Sequence, residues 1–309
     1  MNTSAQDNSY QTYPILDLSI SPASKALGGL LYSDTETNFG AAFFAPSVLD
    51  STYSKKIQTA YTSLFKSTKQ TSIAAAWGLT SSDIFAVQFQ TVDYGTFDRR
   101  DAENVYLGEY KAASYDASLS YSKRLTRECR AGVSFHSIWS QMDIYNAFAV
   151  SFNASVSYKV KNFSGTLAIR NVGTSINNLG QESVSMPLDV GFTIVKSLEH
   201  APFAFFITAH HLTNWDEALE QEGISKGYDY KEWTNHLNLA TRLRLSSHFA
   251  LMLGYNNQER NLAGLSSSKG TSGLSFGIQI DNSRFQLGYS MSPLHKSTTQ
   301  HNFGFQLKL

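Results

Sequence analysis

The sequence predicts an all-β protein, a transmembrane antiparallel β-barrel of about fourteen strands with an N-terminal plug segment in its lumen. The chain ends on a stretch that alternates with period two. In residues 301–309, one face carries Phe303, Phe305, Leu307 and Leu309, and the other face is mainly polar. A final strand of this kind leaves an unpaired edge unless another strand closes against it. A closed barrel removes that edge.

The composition argues against some classes of protein, but it does not distinguish a membrane barrel from soluble β folds. Charged residues make up 16% of the 309 residues, and aromatic residues 13%. Globular proteins average about 25% charged residues. The zero formal net charge and the lack of a basic stripe argue against nucleic-acid binding. The single Cys129 cannot form an internal disulfide. A soluble β-sandwich or propeller would share much of this composition.

Turn residues divide the chain into fourteen predicted strands. These cover residues 56–65, 70–79, 84–92, 112–124, 128–141, 145–160, 164–171, 188–198, 202–212, 235–246, 248–257, 273–282, 284–291 and 301–309. The long connections all follow odd-numbered strands; they are residues 93–111, 172–187, 213–234, 258–272 and 292–300. In an up-and-down barrel they would share one rim, as the external loops of outer-membrane barrels do.

Charged residues in the predicted strands fit a polar lumen. In the strand 235–246, one register turns four leucines towards lipid and sends His236, Asn238, Arg242 and Arg244 into the lumen. That register avoids the cost of about 2–4 kcal/mol for an arginine that faces lipid at the bilayer midplane. Arg170 and Lys159 are likewise expected to face inward.

Residues 1–55 lack the regular alternation and are predicted to form a separate N-terminal segment ahead of the barrel, residues 56–309. They contain three prolines and the apolar run 39–44. A barrel of about fourteen strands is too wide to be filled by its own side chains. We therefore expect this segment to fold inside as a plug, the alternative being a loose periplasmic tail. Residues 1–9 lack signal-peptide features, as a mature form with an added methionine would.

Short segments resemble a known family. The run from Tyr13 to Gly29, which ends in Leu27-Gly28-Gly29, together with Ala45-Pro46-Ser47, resembles the FadL-like barrels of Bacteroidetes, which include the PorV and PorQ groups. Members carry a Leu-Gly-Gly turn and an Asn-Pro-Ala plug motif, and here Ala45 stands in place of the Asn. Residues 168–173, 196–203 and 210–216 resemble the PorQ group in particular. Leu309 departs from the aromatic C-terminal residue that is usual in outer-membrane barrels.

The resemblance implies an outer-membrane barrel in the attachment complex of the type IX secretion system. Such a barrel would anchor a PorZ-like surface protein, with PorU and PorV as further components of the complex. The complex processes secreted cargo and attaches it to lipopolysaccharide. The alternative is a FadL-like transporter of a hydrophobic small molecule, which would need an apolar pocket in the lumen. No cofactor is expected in either case.

Two predicted loops are candidates for partner binding. One carries Trp215, Asp216, Tyr228, Tyr230 and Trp233, and aromatic residues among charges are typical of interface anchors. Trp233 could equally belong to a membrane-interface belt. The other loop carries Asp98, Arg99 and Arg100, which could instead be a solvated charge cluster.

Two further patterns suggest chemistry, but local structure argues against both. Gly273–Gly277 fits the G-x-S-x-G nucleophile pattern, yet alternation continues through it, whereas the motif requires a sharp strand-to-helix turn. His210, His211 and Asp216 could suggest a metal site. Adjacent residues on a strand point to opposite faces, so the two imidazoles are expected to diverge. We therefore predict neither an enzyme nor a metal protein.

Overall fold

The computed structural model describes residues 13–178, 186–213, 230–262, 270–295 and 298–309. Fourteen strands form one closed antiparallel barrel in which each strand pairs with its neighbours in sequence. Strand β1 closes the barrel by pairing with β14, from Lys56 opposite Lys308 to Ser63 opposite His301. The predicted fold class is confirmed, and the C-terminal strand has the partner that its alternation required.

The strands follow the predicted order. They are β1 (Lys56–Phe65), β2 (Thr68–Gly78), β3 (Asp83–Arg100), β4 (Tyr106–Arg124), β5 (Cys129–Met142), β6 (Tyr145–Val160), β7 (Phe163–Asn178), β8 (Asp189–Ser197), β9 (Phe203–Ala209), β10 (Leu237–Ser246), β11 (Phe249–Asn256), β12 (Leu274–Asp281), β13 (Phe285–His295) and β14 (Thr298–Lys308).

Three of the predicted loops are wrong in part, because the strands beside them are longer than their alternation indicated. Residues 93–111 are mostly the ends of β3 and β4, residues 172–178 belong to β7, and residues 292–300 are largely β13 and β14. In these strand ends most residues on both faces are at least partly exposed, and only single residues such as Ser175, Ser292 and Gln300 are buried. The period-two signal then disappears, although the hydrogen bonds of the ladder continue.

Connection lengths divide the barrel into two ends. At the short-turn end, each connection is brief; these are residues 79–82, 125–128, 161–162, 198–202, 247–248 and 282–284. The opposite, long-loop end carries connections 179–188, 210–236 and 257–273. The longest connections therefore do follow odd-numbered strands, as predicted.

The outer face of the barrel wall is mainly apolar, and the inner face is mainly polar. On β14, Phe303 and Phe305 face outward and are 52% and 42% exposed, while Asn302 and Gln306 face inward and are buried. The same alternation recurs around the barrel and gives an outward apolar band, as in barrels that span a membrane. The inner face also carries buried apolar residues such as Ile84, Val195 and Phe206. Among the described residues, no helix is long and apolar enough to cross a membrane.

The N-terminal segment contains two short helices, α1 (Pro22–Ala26) and α2 (Phe39–Phe44). Pro22 stands at the start of α1, where its missing N–H costs nothing. The Asn38 side chain caps α2 by accepting a hydrogen bond from the Gly40 N–H at 3.0 Å. Two further helices, α3 (Tyr230–Asn235) and α4 (Asn257–Leu262), belong to the long-loop end.

Candidate functional site

The N-terminal segment, residues 13–55, lies against the inner face of the barrel, and we call it the plug. Its aromatic residues Tyr32, Phe39 and Phe44 are at most 1% exposed and pack in one cluster with residues of the wall. Inward-facing glycines let the plug backbone approach the strands. A Cβ at Gly132 would lie 2.4 Å from the Ser47 N atom, closer than real Cβ atoms approach backbone.

The Leu27-Gly28-Gly29 turn ends α1 and fixes it to the wall. Gly28 and Gly29 have φ values of +99° and +91°, which favour glycine. The Gly28 carbonyl accepts hydrogen bonds from the side-chain amides of Asn238 and Asn256, each at 3.0 Å. Leu27 is buried. The turn therefore presents a backbone acceptor to two inward asparagines of β10 and β11.

The Ala45-Pro46-Ser47 segment meets the opposite wall. Ala45 ends α2, and Pro46 begins a 3-10 turn. The Ser47 N–H donates to Ser155 Oγ at 2.8 Å, and Ser157 Oγ donates to the Ser47 carbonyl at 2.9 Å. Both serines face inward on β6, so the backbone of this segment bonds the plug to the wall although Ala45 has no polar side chain.

A buried ion pair joins the plug to β10. Arg242 donates to both carboxylate oxygens of Asp34, at 2.6 and 2.8 Å, and both side chains are at most 2% exposed. The Asn38 side chain donates to the same carboxylate at 2.9 Å. The Arg242 guanidinium also lies 5.3 Å from the centre of the Phe206 ring. Bidentate arginine–carboxylate hydrogen bonds of this kind fix the relative orientation of the two side chains as well as the distance between them.

Two further arginines hold the plug at different heights. Arg170 of β7 is fully buried, pairs with Asp17 of the plug, and lies 4.7 Å from the centre of the Phe44 ring. Arg244 of β10 pairs with Glu36 nearer the short-turn end. The inward register predicted for the arginines is therefore correct. Their acidic partners in the plug were not predicted, although a buried arginine calls for a counter-charge.

The two adjacent histidines do not diverge as expected. Strand β9 ends at Ala209, and His211 adopts φ of +53°, which turns its ring back towards His210. The two Nδ1 atoms lie 2.7 Å apart, and both residues are buried. The prediction was wrong because it treated 210–211 as strand. Among the described residues, no group of three His, Cys, Asp or Glu side chains could hold a metal ion.

The cluster Asp98, Arg99 and Arg100 lies on β3, not in a loop. Residues of β3 that follow Asp93 in the chain do not pair with β2, and residues of β4 that precede Ala112 do not pair with β5. Within residues 95–111, β3 and β4 therefore pair only with each other and form a two-stranded projection, which we call the ribbon. Arg100 pairs with Asp98 at 3.0 Å. Arg99 pairs with Asp143 in the β5–β6 turn. The Arg100–Asp98 pair is exposed to solvent, and the Arg99–Asp143 pair is partly exposed.

The second predicted docking loop is described only in part. Trp215, Asp216 and Tyr228 lie outside the described residues. Tyr230 is the first residue of α3, and Trp233 on the same helix is 59% exposed. Both described residues therefore belong to the long-loop end, which also carries the ribbon.

The G-x-S-x-G match lies on β12 from Leu274 onwards, as predicted, while its first glycine, Gly273, ends the preceding turn. Ser275 is an inward residue of β12, and its hydroxyl donates to the Ala26 carbonyl of the plug at 2.9 Å. A Cβ at Gly277 would lie 2.4 Å from the Ala26 Cβ. The glycine and the serine thus accommodate the plug, and the serine does not stand on the sharp turn that a nucleophile of this type requires.

Comparison with known structures finds similar barrels. A TodX mutant described as a monoaromatic hydrocarbon channel matches with a TM-score of 0.62 at 10% identity, over 94% of this chain and 99% of that one. The Pseudomonas putida toluene transporter TodX matches with a TM-score of 0.54 at 12% identity, over 94% and 96%. A Pseudomonas aeruginosa FadL homologue matches with a TM-score of 0.55 at 9% identity, over 94% and 98%. The search against protein-family models and the search of curated proteins find no match.

These likenesses extend over nearly the whole barrel and plug. At such low identity they establish the fold and nothing finer. The chain has the fold of the FadL and TodX type of outer-membrane barrel.

Proposed function

We propose that this chain is an outer-membrane barrel of the PorQ type, which anchors a PorZ-like surface protein for the type IX secretion system. The observation that carries the proposal is a plug held inside the barrel by ionic contacts to the wall, from buried Arg242 to buried Asp34 and from buried Arg170 to partly exposed Asp17. An anchor needs a rigid, closed scaffold, and buried arginine–carboxylate pairs are costly to break.

The long-loop end supplies the docking surface in this proposal. The ribbon projects beyond the neighbouring strands, and its Phe97 and Tyr110 rings stack at 5.5 Å between centres. Trp233 adds a second exposed aromatic on the same end. Aromatic residues bordered by charges are the usual anchors of protein interfaces. PorU and PorV would be further components of the same complex, and lipopolysaccharide would be the molecule to which the complex attaches its cargo.

The test is co-purification from detergent-solubilised outer membranes of the native host. We expect a PorZ-like protein to co-purify with the wild-type barrel. Deletion of residues 216–227 or the pair Trp215→Ala and Tyr228→Ala should reduce its recovery, and so should replacement of Asp98, Arg99 and Arg100 by serine. Arg284→Ala, at the short-turn end, is the matched control and should change nothing. Equal recovery from all the variants would overturn the docking proposal.

The second candidate is a FadL-like transporter of a hydrophobic small molecule. It is favoured by the structural likeness to TodX, which is described as a toluene transporter. The buried plug and the many polar inward residues of the wall argue against it, because a transporter needs an apolar pocket in the lumen. Uptake of a hydrocarbon into cells that depends on this chain, without any co-purifying protein, would favour the transporter.

A further inference from the structure

An apolar groove of about 480 Å³ crosses the outer wall where the barrel closes. It spans strands β12, β13, β14, β1 and β2. Thr59 and Thr71 are small residues surrounded by large outward side chains, and the groove lies where these small residues leave space. The large lining residues are Tyr61, Ile278, Ile280, Leu287, Tyr289, Phe303 and Phe305.

The groove faces the lipid side of the wall. Tyr61, Phe303 and Leu287 are 40%, 52% and 42% exposed, whereas Asn302 and Gln306, which alternate with the outward residues of β14, are buried against the lumen. An open apolar surface at this depth is covered by hydrocarbon in a bilayer. The occupant of the groove is therefore expected to be an extended hydrocarbon chain.

Basic residues stand above the groove, on the side of the long-loop end. Tyr61 pairs with Phe303, and two residues further on Ser63 pairs with both His301 and Lys69. Two residues of a strand rise about 7 Å. His301 and Lys69 thus form the next outward-facing row above the aromatic rim of the groove, and both are at least partly exposed.

The histidine is held in place by the groove itself. The Tyr289 hydroxyl lies 2.9 Å from His301 Nδ1, and the Tyr289 ring also lines the groove. When Nδ1 accepts from this hydroxyl, the proton of the neutral imidazole is on Nε2, which can donate to an external oxygen. Lys69 adds a positive charge in the same row. An apolar groove with a donor and a cation at one end matches a lipid tail with an anionic head.

We propose that this groove is a specific site for an anionic lipid of the bilayer, with one acyl chain along the groove and the phosphate beside Lys69 and His301. The fit of the chain in the groove supplies affinity through van der Waals packing, since in a bilayer the groove would otherwise be covered by less well-fitting hydrocarbon. The phosphate contacts supply selectivity for an anionic over a zwitterionic head group. The site is independent of whether the barrel docks a surface protein.

Native mass spectrometry of the full chain in a mild detergent tests the proposal, with phosphatidylglycerol and phosphatidylcholine as the probes. The wild type should retain one phosphatidylglycerol in preference to phosphatidylcholine. Lys69→Gln should reduce that preference about fivefold, since one basic residue near a membrane surface contributes about that factor. Lys123→Gln removes an exposed lysine of β4 at the short-turn end, away from both the groove and the ribbon, and should leave the preference unchanged.

The groove itself is tested by Thr59→Phe, which fills it from an outward strand position that suits an aromatic residue. Retention of both lipids should fall. Thr71→Phe on β2 is the second filling variant, used where Thr59→Phe fails to give the heat-modifiable migration of a folded barrel. Lipid retention by folded filled variants equal to that of the wild type would overturn the proposal, and so would equal effects of Lys69→Gln and Lys123→Gln.

Discussion

Arg242 shows how a single inward residue decides where the plug lies. Its guanidinium meets both oxygens of Asp34 in a site that is closed to solvent. Removal of one partner leaves the other charge buried and unpaired, which costs more than the pair itself contributes. The pair therefore fixes one position of the plug, whatever it adds to overall stability.

Arg242→Met should lower the free energy of unfolding by about 3–5 kcal/mol, because Asp34 is left without its counter-charge. The double variant Arg242→Met with Asp34→Leu should recover much of the loss, since neither charge is then buried. Urea titration of the barrel folded in detergent measures both. Arg124→Met removes an exposed arginine at the short-turn end and is the control. A double variant no more stable than Arg242→Met would contradict the prediction.

Asp34 should also make stability depend on acid. Burial alone would raise the pKa of its carboxyl, but the Arg242 guanidinium and the hydrogen bonds from Asn38 and Glu36 outweigh burial, so the pKa lies below its usual value. A lowered pKa in the folded state contributes stability above the unfolded pKa of about 4, and that stability is lost as the pH falls through the folded value. Melting of the wild type should therefore drop below about pH 4.

The Asp34→Asn variant isolates that contribution. It should be less stable than the wild type at neutral pH, and the gap between the two melting temperatures should narrow as the pH falls below about 4. Calorimetry of detergent-folded protein across this range supplies the measurement. A difference in melting temperature that stays constant across this pH range would show that the charge of Asp34 does not contribute to the stability of the fold.

At the scale of elements, the wall and the plug fit through glycines that alternate with outward residues. Gly132 of β5 faces the 3-10 turn Pro46–Val48, where a Cβ would meet backbone atoms at 2.4 and 2.5 Å. Backbone cannot move aside as the end of a flexible side chain can. A strand that must pass so close to another backbone therefore needs glycine at that position.

Gly132→Ala should accordingly destabilise the barrel by about 1–3 kcal/mol through overpacking. Gly165→Ala is the matched control on β7, since its Cβ would meet the Phe163 ring at an ordinary 3.7 Å. That substitution should be neutral or slightly stabilising in a strand. Urea titration of both variants checks the difference. Similar losses at the two positions would mean that the effect comes from the strand and not from contact with the plug.

Strand elements could be predicted because burial on one face imposes period two, and this held even for strands as short as β9, Phe203–Ala209. The ribbon could not be predicted, because Thr96, Phe97 and Asp98 are all exposed and carry no alternation. The inward arginines were found from the cost of facing lipid. Their partners Asp17, Asp34 and Glu36 were missed because contacts across 150 residues or more leave no local pattern.

At the scale of the whole molecule, a closed barrel and a pinned plug together decide whether anything can pass through the lumen. Fourteen strands enclose more space than their side chains fill, and the plug packs against the inner wall within that space. An anchor keeps this arrangement permanently, whereas a transporter must displace the plug in its working cycle. The two proposed functions therefore differ in whether the ionic contacts of the plug have to break.

Conductance across a planar bilayer distinguishes the two. The full chain should show almost no conductance. A chain without residues 13–53 should show a large, steady conductance, because its lumen is then open and filled with water. Arg242→Met together with Arg170→Met should give intermittent openings, since the plug then loses its buried ionic contacts while its apolar cluster still packs against the wall. Openings of the unaltered chain on addition of a hydrocarbon would mean that the plug moves in normal function, and would favour the transporter over the anchor.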